Sequence, residues 1–288
     1  MPDPEVSFEF FPPKTERMAE QLWQAVEKLA PLDPAFVSVT YGAGGTTRER
    51  THETVKRILE ETSLDVAAHL TTIEASRDEV DDVLRRYWDA GVRHIVALRG
   101  DPPGGVGEAY VPAADGYAGA AELAAGAKDI AEFAVTVGCY PEGHPESPSM
   151  EHDIDLLKRK VDAGASRAIT QFFYDNEHFW RFLDRVEKAG IDIPIVPGIM
   201  PVVNFSSLRR MAKLCAATIP ARFDKLFGHL DGDPKTQQLV AATIAAEQCH
   251  DLAESGVDAF HFYTLNRADL TYALCHMLGL RPSERAVH

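Results

Sequence analysis

The chain of 288 residues has few cysteines, a deficit of basic charge and no long apolar run. Its four cysteines, Cys139, Cys215, Cys249 and Cys275, are far apart and form no CxxC pair. Neither a zinc site nor a disulfide framework is indicated, and buried free thiols are expected. Basic side chains number 29 against 44 acidic ones, and the net charge of −15 creates a field that repels nucleic acid and anionic lipid. Anionic ligands must then be held by local cations. No stretch approaches the roughly 18 apolar residues of a membrane span, and the acidic residues 1–5 lack the pattern of a signal peptide. The expected setting is cytoplasmic, without a membrane or nucleic-acid partner. The eleven histidines are scattered, with no HxH pair on the first predicted strand, so no metal site is expected and a metal-dependent barrel hydrolase is disfavoured.

What the chain does have is a repeated alternation of β-branched apolar runs with helical stretches, the pattern of parallel strands joined by helical crossovers. Eight strands are predicted, at residues 6–11, 36–42, 66–72, 94–99, 133–140, 168–174, 193–199 and 259–265. Residues 16–29 carry Met18, Leu22, Val26 and Leu29 at helical spacing. Residues 76–90 carry a similar stripe, with Ser76 and Glu79 as a capping box and Gly91 as a stop. Ala163-Gly164 and Ala189-Gly190 end two further helices. Extra helices are predicted before the eighth strand, at residues 220–230 and 234–255. No composition shift or repeat marks a second domain, and a single α/β barrel needs about 250 residues. The fold class expected is α/β, a (β/α)8 TIM barrel with extra helices before the eighth strand, over residues 1–288.

Ligands of such a barrel meet the strand C-termini and the loops that follow. Glu9 lies inside the first strand, where an ionised carboxylate is costly without a partner, so shielding favours its protonated form and makes it a candidate proton donor. The competing reading is an outward residue paired to a lysine. The run Thr40-Tyr41-Gly42-Ala43-Gly44-Gly45-Thr46-Thr47 superficially resembles a dinucleotide fingerprint, but Thr47 stands at the third glycine position and Asp65 precedes a strand instead of ending one. The fourth strand ends in Arg99-Gly100-Asp101, a cation, a permissive glycine and a carboxylate on one loop, equally readable as an Arg99–Asp101 surface pair. The fifth runs into Tyr140-Pro141-Glu142-Gly143-His144-Pro145-Glu146, a cluster richer than turn chemistry requires. His69, Gln171, His261 and Tyr263 are uncharged polar groups in apolar runs, and each alone reads more readily as a satisfied core residue. Lys158, Arg159 and Lys160 form a solvated helical face or a reach toward phosphate.

Phe8-Glu9-Phe10-Phe11-Pro12-Pro13, Ser38-Val39-Thr40-Tyr41-Gly42, Ala97-Leu98-Arg99-Gly100-Asp101, the Tyr140 to Glu146 run, Ile169-Thr170-Gln171-Phe172-Phe173 and His261-Phe262-Tyr263-Thr264-Leu265-Asn266-Arg267 occur in this order. Together, over nearly the whole chain, they resemble the methylenetetrahydrofolate reductase family, in its bacterial type with the catalytic barrel alone. The resemblance implies flavin-dependent reduction of 5,10-methylenetetrahydrofolate to 5-methyltetrahydrofolate in one-carbon and methionine metabolism. Electrons would come from NADH or NADPH and pass by ping-pong hydride transfer through noncovalent FAD. It implies Glu9 as the general acid that helps open the folate ring, and Asp101 as a charge that tunes the flavin and stabilises a cationic intermediate. Substrate contacts implied are Glu9, Gln171, Tyr263 and Arg267, the last toward a glutamate carboxylate of the folate tail. Cofactor contacts implied are Thr40, Tyr41, Ala43, His69, Arg99, Gly100, Asp101, Tyr117, Ala118, Tyr140, His144, Asp153, Arg159 and Lys160. A homo-oligomer is also implied.

Two departures from the family pattern stand out: Leu156 where relatives carry a polar residue near the flavin, and a longer, glycine-rich segment at residues 104–116 before Tyr117 and Ala118. A flavin-free pterin-binding barrel that transfers a methyl group is the competing enzyme class. A noncatalytic binding protein would leave Glu9 and Asp101 without a purpose. Bound flavin gives a yellow protein, and the alternatives are colourless.

Overall fold

The computed structural model describes residues 3–41, 45–102 and 110–283, the side chains of residues 45–47 excepted. Its strands are β1 (Glu5–Phe10), β2 (Phe36–Val39), β3 (Val66–Thr71), β4 (His94–Leu98), β5 (Ala134–Cys139), β6 (Arg167–Thr170), β7 (Ile195–Val196), β8 (Gly198–Ile199) and β9 (Ala259–Tyr263). All pair in parallel, in the order β7-β6-β5-β4-β3-β2-β1-β9-β8. The two ends of this order are halves of one predicted strand, residues 193–199, divided at Pro197. Proline has no N–H for a ladder, so pairing lapses there. The first half bonds to β6 and the second to β9, while the Pro197 carbonyl accepts from the His261 amide at 3.0 Å. The sheet therefore closes on itself as the expected barrel.

The helices are α1 (Glu16–Leu29), α2 (Gly45–Glu61), α3 (Arg77–Asp89), α4 (Ala120–Ile130), α5 (Met150–Asp162), α6 (Asn176–Lys188), α7 (Phe205–Leu214), α8 (Arg222–Phe227), α9 (Pro234–Glu254) and α10 (Ala268–Met277). Their ends follow local chemistry. Ser76 and Glu79 form the expected capping box of α3, and Gly91, Gly164 and Gly190 take positive φ just past α3, α5 and α6. Among the described residues no helix is long and apolar enough to cross a membrane.

Side-chain alternation along the strands divides the protein into an outer core and a barrel interior. Val6, Phe8 and Phe10 of β1 and Phe260 and Phe262 of β9 join the large cluster that also contains Leu22, Val26 and Leu29 of α1. Phe36, Ala67, Val96, Ile169 and Val196 form a separate apolar cluster inside the barrel. The extra helices α7, α8 and α9 make a third cluster around Phe205, Phe223, Phe227 and Ile244, against Phe172, Tyr174 and Met200. That cluster builds up one side of the barrel mouth.

Candidate active site

Glu9 points into the barrel. Its β-register neighbours are Ser38 and Tyr263, and its Oε2 lies 3.4 Å from His69 Nε2 and 3.8 Å from His261 Nε2. No lysine takes part, so the outward-facing reading fails for a geometric reason: Phe8 and Phe10 occupy the outer face, and alternation sends Glu9 inward. His69 is fully enclosed, and burial, opposed by the Glu9 charge and aided by His261, lowers its pKa to about 4. It is neutral at pH 7. His261, 1% exposed, places Nδ1 2.8 Å from Ser7 Oγ, which donates a longer bond to the Phe260 carbonyl at 3.4 Å. Anchored to Ser7 through Nδ1, His261 turns its Nε2 toward Glu9. The carboxyl oxygen thus lies between two imidazole nitrogens at the base of the barrel mouth.

This group forms the floor of a cavity of about 480 Å³ at the strand C-termini, with Phe11, Gln171, Phe172, Met200, Met211, Tyr263 and Leu265 among its walls. Tyr263 donates to the Thr170 carbonyl at 2.7 Å, across Gly198. A Cβ at residue 198 would lie 2.2 Å from that carbonyl oxygen and 2.6 Å from Tyr263 Cε2, so only glycine admits the ring. Gln171 Oε1 accepts from the Phe172 amide at 3.0 Å, which leaves its amide nitrogen available to a ligand. Cys139 and Cys215 also line this space, and burial pushes their thiols up to about 12 and about 11. All four cysteines are free, as expected, but these two are cavity walls.

A second cavity, of about 620 Å³, adjoins the first along Leu98, Gly138 and Tyr140, which line both. Tyr41, Arg99, Gly100, Asp101, Ala118, Tyr140, His144, Asp153 and Lys160 line it. Gly100 has φ +83°, and a Cβ there would meet Ile73 at 2.7 Å, so the β4 end can turn only with glycine. Arg99 bonds Glu146 at 2.7 Å and stands 4.0 Å from Asp101, so its main partner is Glu146 and Asp101, 64% exposed, is left facing the cavity. Asp101 reaches both spaces electrostatically, since its charge raises the pKa of Tyr140 and of Cys215, in each case after burial. Lys160 donates to the Gly138 carbonyl at 2.8 Å, and burial lowers its pKa to about 8. The Asp153 carboxylate accepts from the His144 amide at 2.8 Å, and His144 Nδ1 accepts from the Glu146 amide at 3.1 Å. That second bond leaves the His144 proton on Nε2.

Several sequence candidates stand elsewhere. Tyr117 is buried between α3 and α4, donates to Asp81 at 2.7 Å and does not line either cavity. Arg159 is exposed on α5, one residue from buried Lys160. Thr40 is held by backbone bonds, its amide to Phe10 and its carbonyl from Thr51. His69 belongs to the first cavity, and Arg267 to a third, outer groove. Ala43 lies outside the described residues. Leu156, the departure from the family pattern, lines the second cavity. His261 and Glu146 were missed as site residues. Strand alternation offers a signal for His261, two residues before Tyr263 on the same face, whereas Glu146 lies 47 residues from Arg99, beyond any local pattern.

The methylenetetrahydrofolate reductase family model matches residues 2–279. The chain is 50% identical over 277 residues to the 5,10-methylenetetrahydrofolate reductase of Salmonella typhimurium, covering 96% of this chain and 91% of that protein. The Escherichia coli K12 enzyme of the same description gives the same figures. Methylenetetrahydrofolate reductase (NADH) 1 of Arabidopsis thaliana is 35% identical over 95% of this chain and 48% of its own length. Among solved structures, an uncharacterized Clostridium thermocellum protein that binds two copies of 5-methyl-5,6,7,8-tetrahydrofolic acid superposes with TM-score 0.64 at 14% identity, covering 96% of this chain and 94% of that one. That likeness is one of fold.

Proposed function

Because the chain belongs to the methylenetetrahydrofolate reductase family, we propose that it reduces 5,10-methylenetetrahydrofolate to 5-methyltetrahydrofolate with folate in the Glu9 cavity and FAD in the adjoining one. Residues 1–288 then act as one catalytic domain. The observation that carries this reading is the junction of the two cavities above Glu9. The Glu9 carboxyl, flanked by His69 and His261, lies beneath a space that opens directly onto a second, more polar one.

The second cavity fits a flavin dinucleotide in size and in chemistry. Its volume lies within the roughly 300–1,000 Å³ usual for ligand sites. A Cβ at Gly138 would meet only Leu98 at 3.6 Å and otherwise enter the space between the cavities, so glycine keeps that passage open. Lys160, and Arg99 held in place by its pair with Glu146, are the cations of this cavity that a pyrophosphate would meet, beside the carboxylates of Asp101 and Asp153. Bound there, the flavin would accept a hydride from NADH or NADPH and deliver it, in a separate half-reaction, to the folate-bound carbon.

The protein's own part is proton placement and orientation. Opening the five-membered ring requires a proton at one ring nitrogen as its bond to the methylene carbon breaks, with the bonding electrons going to that nitrogen. Glu9 supplies that proton, and the remaining nitrogen stabilises the carbon as an iminium able to accept hydride. Asp101 stabilises the developing cation across the junction. Gln171 donates to the pterin, and Tyr263, fixed by Thr170, forms a rigid wall. Absorbance of the purified protein tests the cofactor. A flavin spectrum, with intact FAD released by heat or acid, is expected. A colourless protein that still binds folate would favour the methyl-transfer class, and FMN, or flavin retained on the precipitated chain, would refute noncovalent FAD.

A further inference from the structure

In the run Tyr140 to Glu146, Tyr140, His144 and Glu146 line the second cavity, whereas Glu142 lines neither site. Its side chain is nevertheless only 9% exposed, and among the described residues no lysine or arginine pairs with it. Taking a carboxyl out of water without a cation is costly, so the bonds that compensate it indicate its purpose. The Thr218 amide donates to both of its oxygens, at 3.1 and 3.0 Å, and Oε2 lies 3.4 Å from His178 Nε2 on α6. Glu142 thus joins the loop after β5 to the connection between α7 and α8.

That connection follows a wall of the substrate site. Met211 and Cys215, one turn apart at the C-terminal end of α7, line the first cavity. The chain then leaves the helix through Ala216 at φ 53°, with the Ala217 amide donating to the Ala212 carbonyl at 2.9 Å. Left-handed backbone disfavours an alanine, so this exit relies on support from outside the helix. Among the described residues, the bonds from Thr218 to Glu142 are the only hydrogen bonds between residues 205–230 and residues 3–199, and no ion pair joins the two. What else holds the segment is the apolar packing of Phe205, Phe223 and Phe227, which fixes no direction.

We propose that Glu142 is a positioning residue for the folate half-reaction: by tethering the Thr218 amide it holds the Met211 and Cys215 face of α7 where it closes the first cavity around the substrate. The inference rests on the folate reading of that cavity. Glu142 lines neither cavity, so it sets affinity and leaves the chemical step alone. Losing a hydrogen bond to a charged group shifts the equilibrium it supports by a factor of roughly ten to a hundred. Apolar packing still retains α7, so about tenfold of that should reach substrate affinity.

The test mixes prereduced, flavin-loaded enzyme rapidly with increasing 5,10-methylenetetrahydrofolate and follows flavin reoxidation. In Glu142→Ala the half-saturating concentration should rise about tenfold while the limiting rate stays within about twofold of wild type. Glu142→Gln keeps an acceptor for the same amide and should remain within about threefold of wild type in both. Thr218→Pro removes the donor at an exposed position, leaves the carboxyl in place, and should reproduce the alanine variant. Hydrogen exchange gives a readout without substrate: amides of residues 205–219 should exchange at least about tenfold faster in Glu142→Ala, with the strands unchanged. An unchanged half-saturating concentration in both Glu142→Ala and Thr218→Pro would overturn the proposal. So would a glutamine variant as weak as the alanine one, or loss of flavin from either Glu142 variant, which would assign the residue to the second cavity. A wild type that shows no folate-dependent reoxidation would instead strike at the folate reading, even where the exchange result upholds the tether.

Discussion

Glu9→Gln isolates the chemical role of one proton. The amide keeps the shape of the carboxyl and stays beside His69 and His261, whose Nε2 atoms lie 3.4 and 3.8 Å from the present Oε2. Little packing is lost, so stability should change by less than about 1 kcal/mol, or roughly 2–4 °C in midpoint for a domain of this size. What the amide cannot do is deliver a proton to a folate nitrogen. A positioned general acid contributes roughly 10²–10⁴ in rate, about 2.7–5.4 kcal/mol of barrier. Hydride transfer from the nicotinamide donor to flavin needs no such proton and should remain near the wild-type rate. Anaerobic stopped-flow separates the two half-reactions. Reoxidation of prereduced variant by 5,10-methylenetetrahydrofolate should slow by at least about a hundredfold. Glu9→Asp gives an internal check, since it keeps an acid but withdraws it by one methylene; a misplacement near 1 Å costs roughly a hundredfold. Near wild-type reoxidation in Glu9→Gln would refute the proton-donor role, and loss of both half-reactions together with flavin would make Glu9 structural.

Asp101→Asn should retain flavin and slow the folate half-reaction by several-fold, a modest effect because the carboxylate is 64% exposed and water screens its field; an unchanged rate in rapid mixing would remove it from the chemistry. Gly198→Ala should displace the Tyr263 ring, cost about 1–3 kcal/mol in stability and raise KM for folate, as thermal melts and steady-state kinetics would show; an unshifted midpoint with unchanged KM would mean the ring moves freely. Burial lowers the pKa of His69 and of His94 to about 4. Their stabilising contribution is complete above the unfolded value near 6.5 and is lost as pH falls through 4, up to about 3 kcal/mol for each. Urea midpoints should therefore fall over that window, and His94→Asn should flatten the slope by about one proton; an identical slope in the variant would refute the assignment.

The fold was legible where its physics is local. Strands covered on both faces read as apolar runs, and seven of the eight predicted stretches each match one observed strand. The remaining stretch, residues 193–199, contains its own interruption, since Pro197 removes an amide without removing hydrophobicity. The capping box of α3 and the glycine after it are one-turn patterns and appear as expected. Helix α7 escaped, although Asn204 accepts from the Ser207 amide at 2.8 Å in an ordinary N-cap. Its ten residues have Arg209, Arg210 and Lys213 among the apolar positions, and its burial depends on α8 and α9 packing over it. The helices predicted at residues 220–230 and 234–255 appear as Arg222–Phe227 and Pro234–Glu254.

The site was legible in its residue types but less so in their directions. Motifs at strand ends brought Glu9, Gln171 and Tyr263 to one cavity and Arg99, Gly100, Asp101, Tyr140 and His144 to the other. They could not say which of two adjacent helical cations turns inward. About 100° of helical rotation separates Arg159 from Lys160, so burying Lys160 under the Gly138 carbonyl leaves Arg159 in solvent. Nor could they fix the surroundings of Glu9, which are built by Ser7, His69 and His261 from three strands. His69 and His261 look like ordinary core residues in the sequence because they are buried, yet strand alternation on β3 and β9 turns both toward the carboxyl of Glu9, so the same burial that hides them also builds the walls around it.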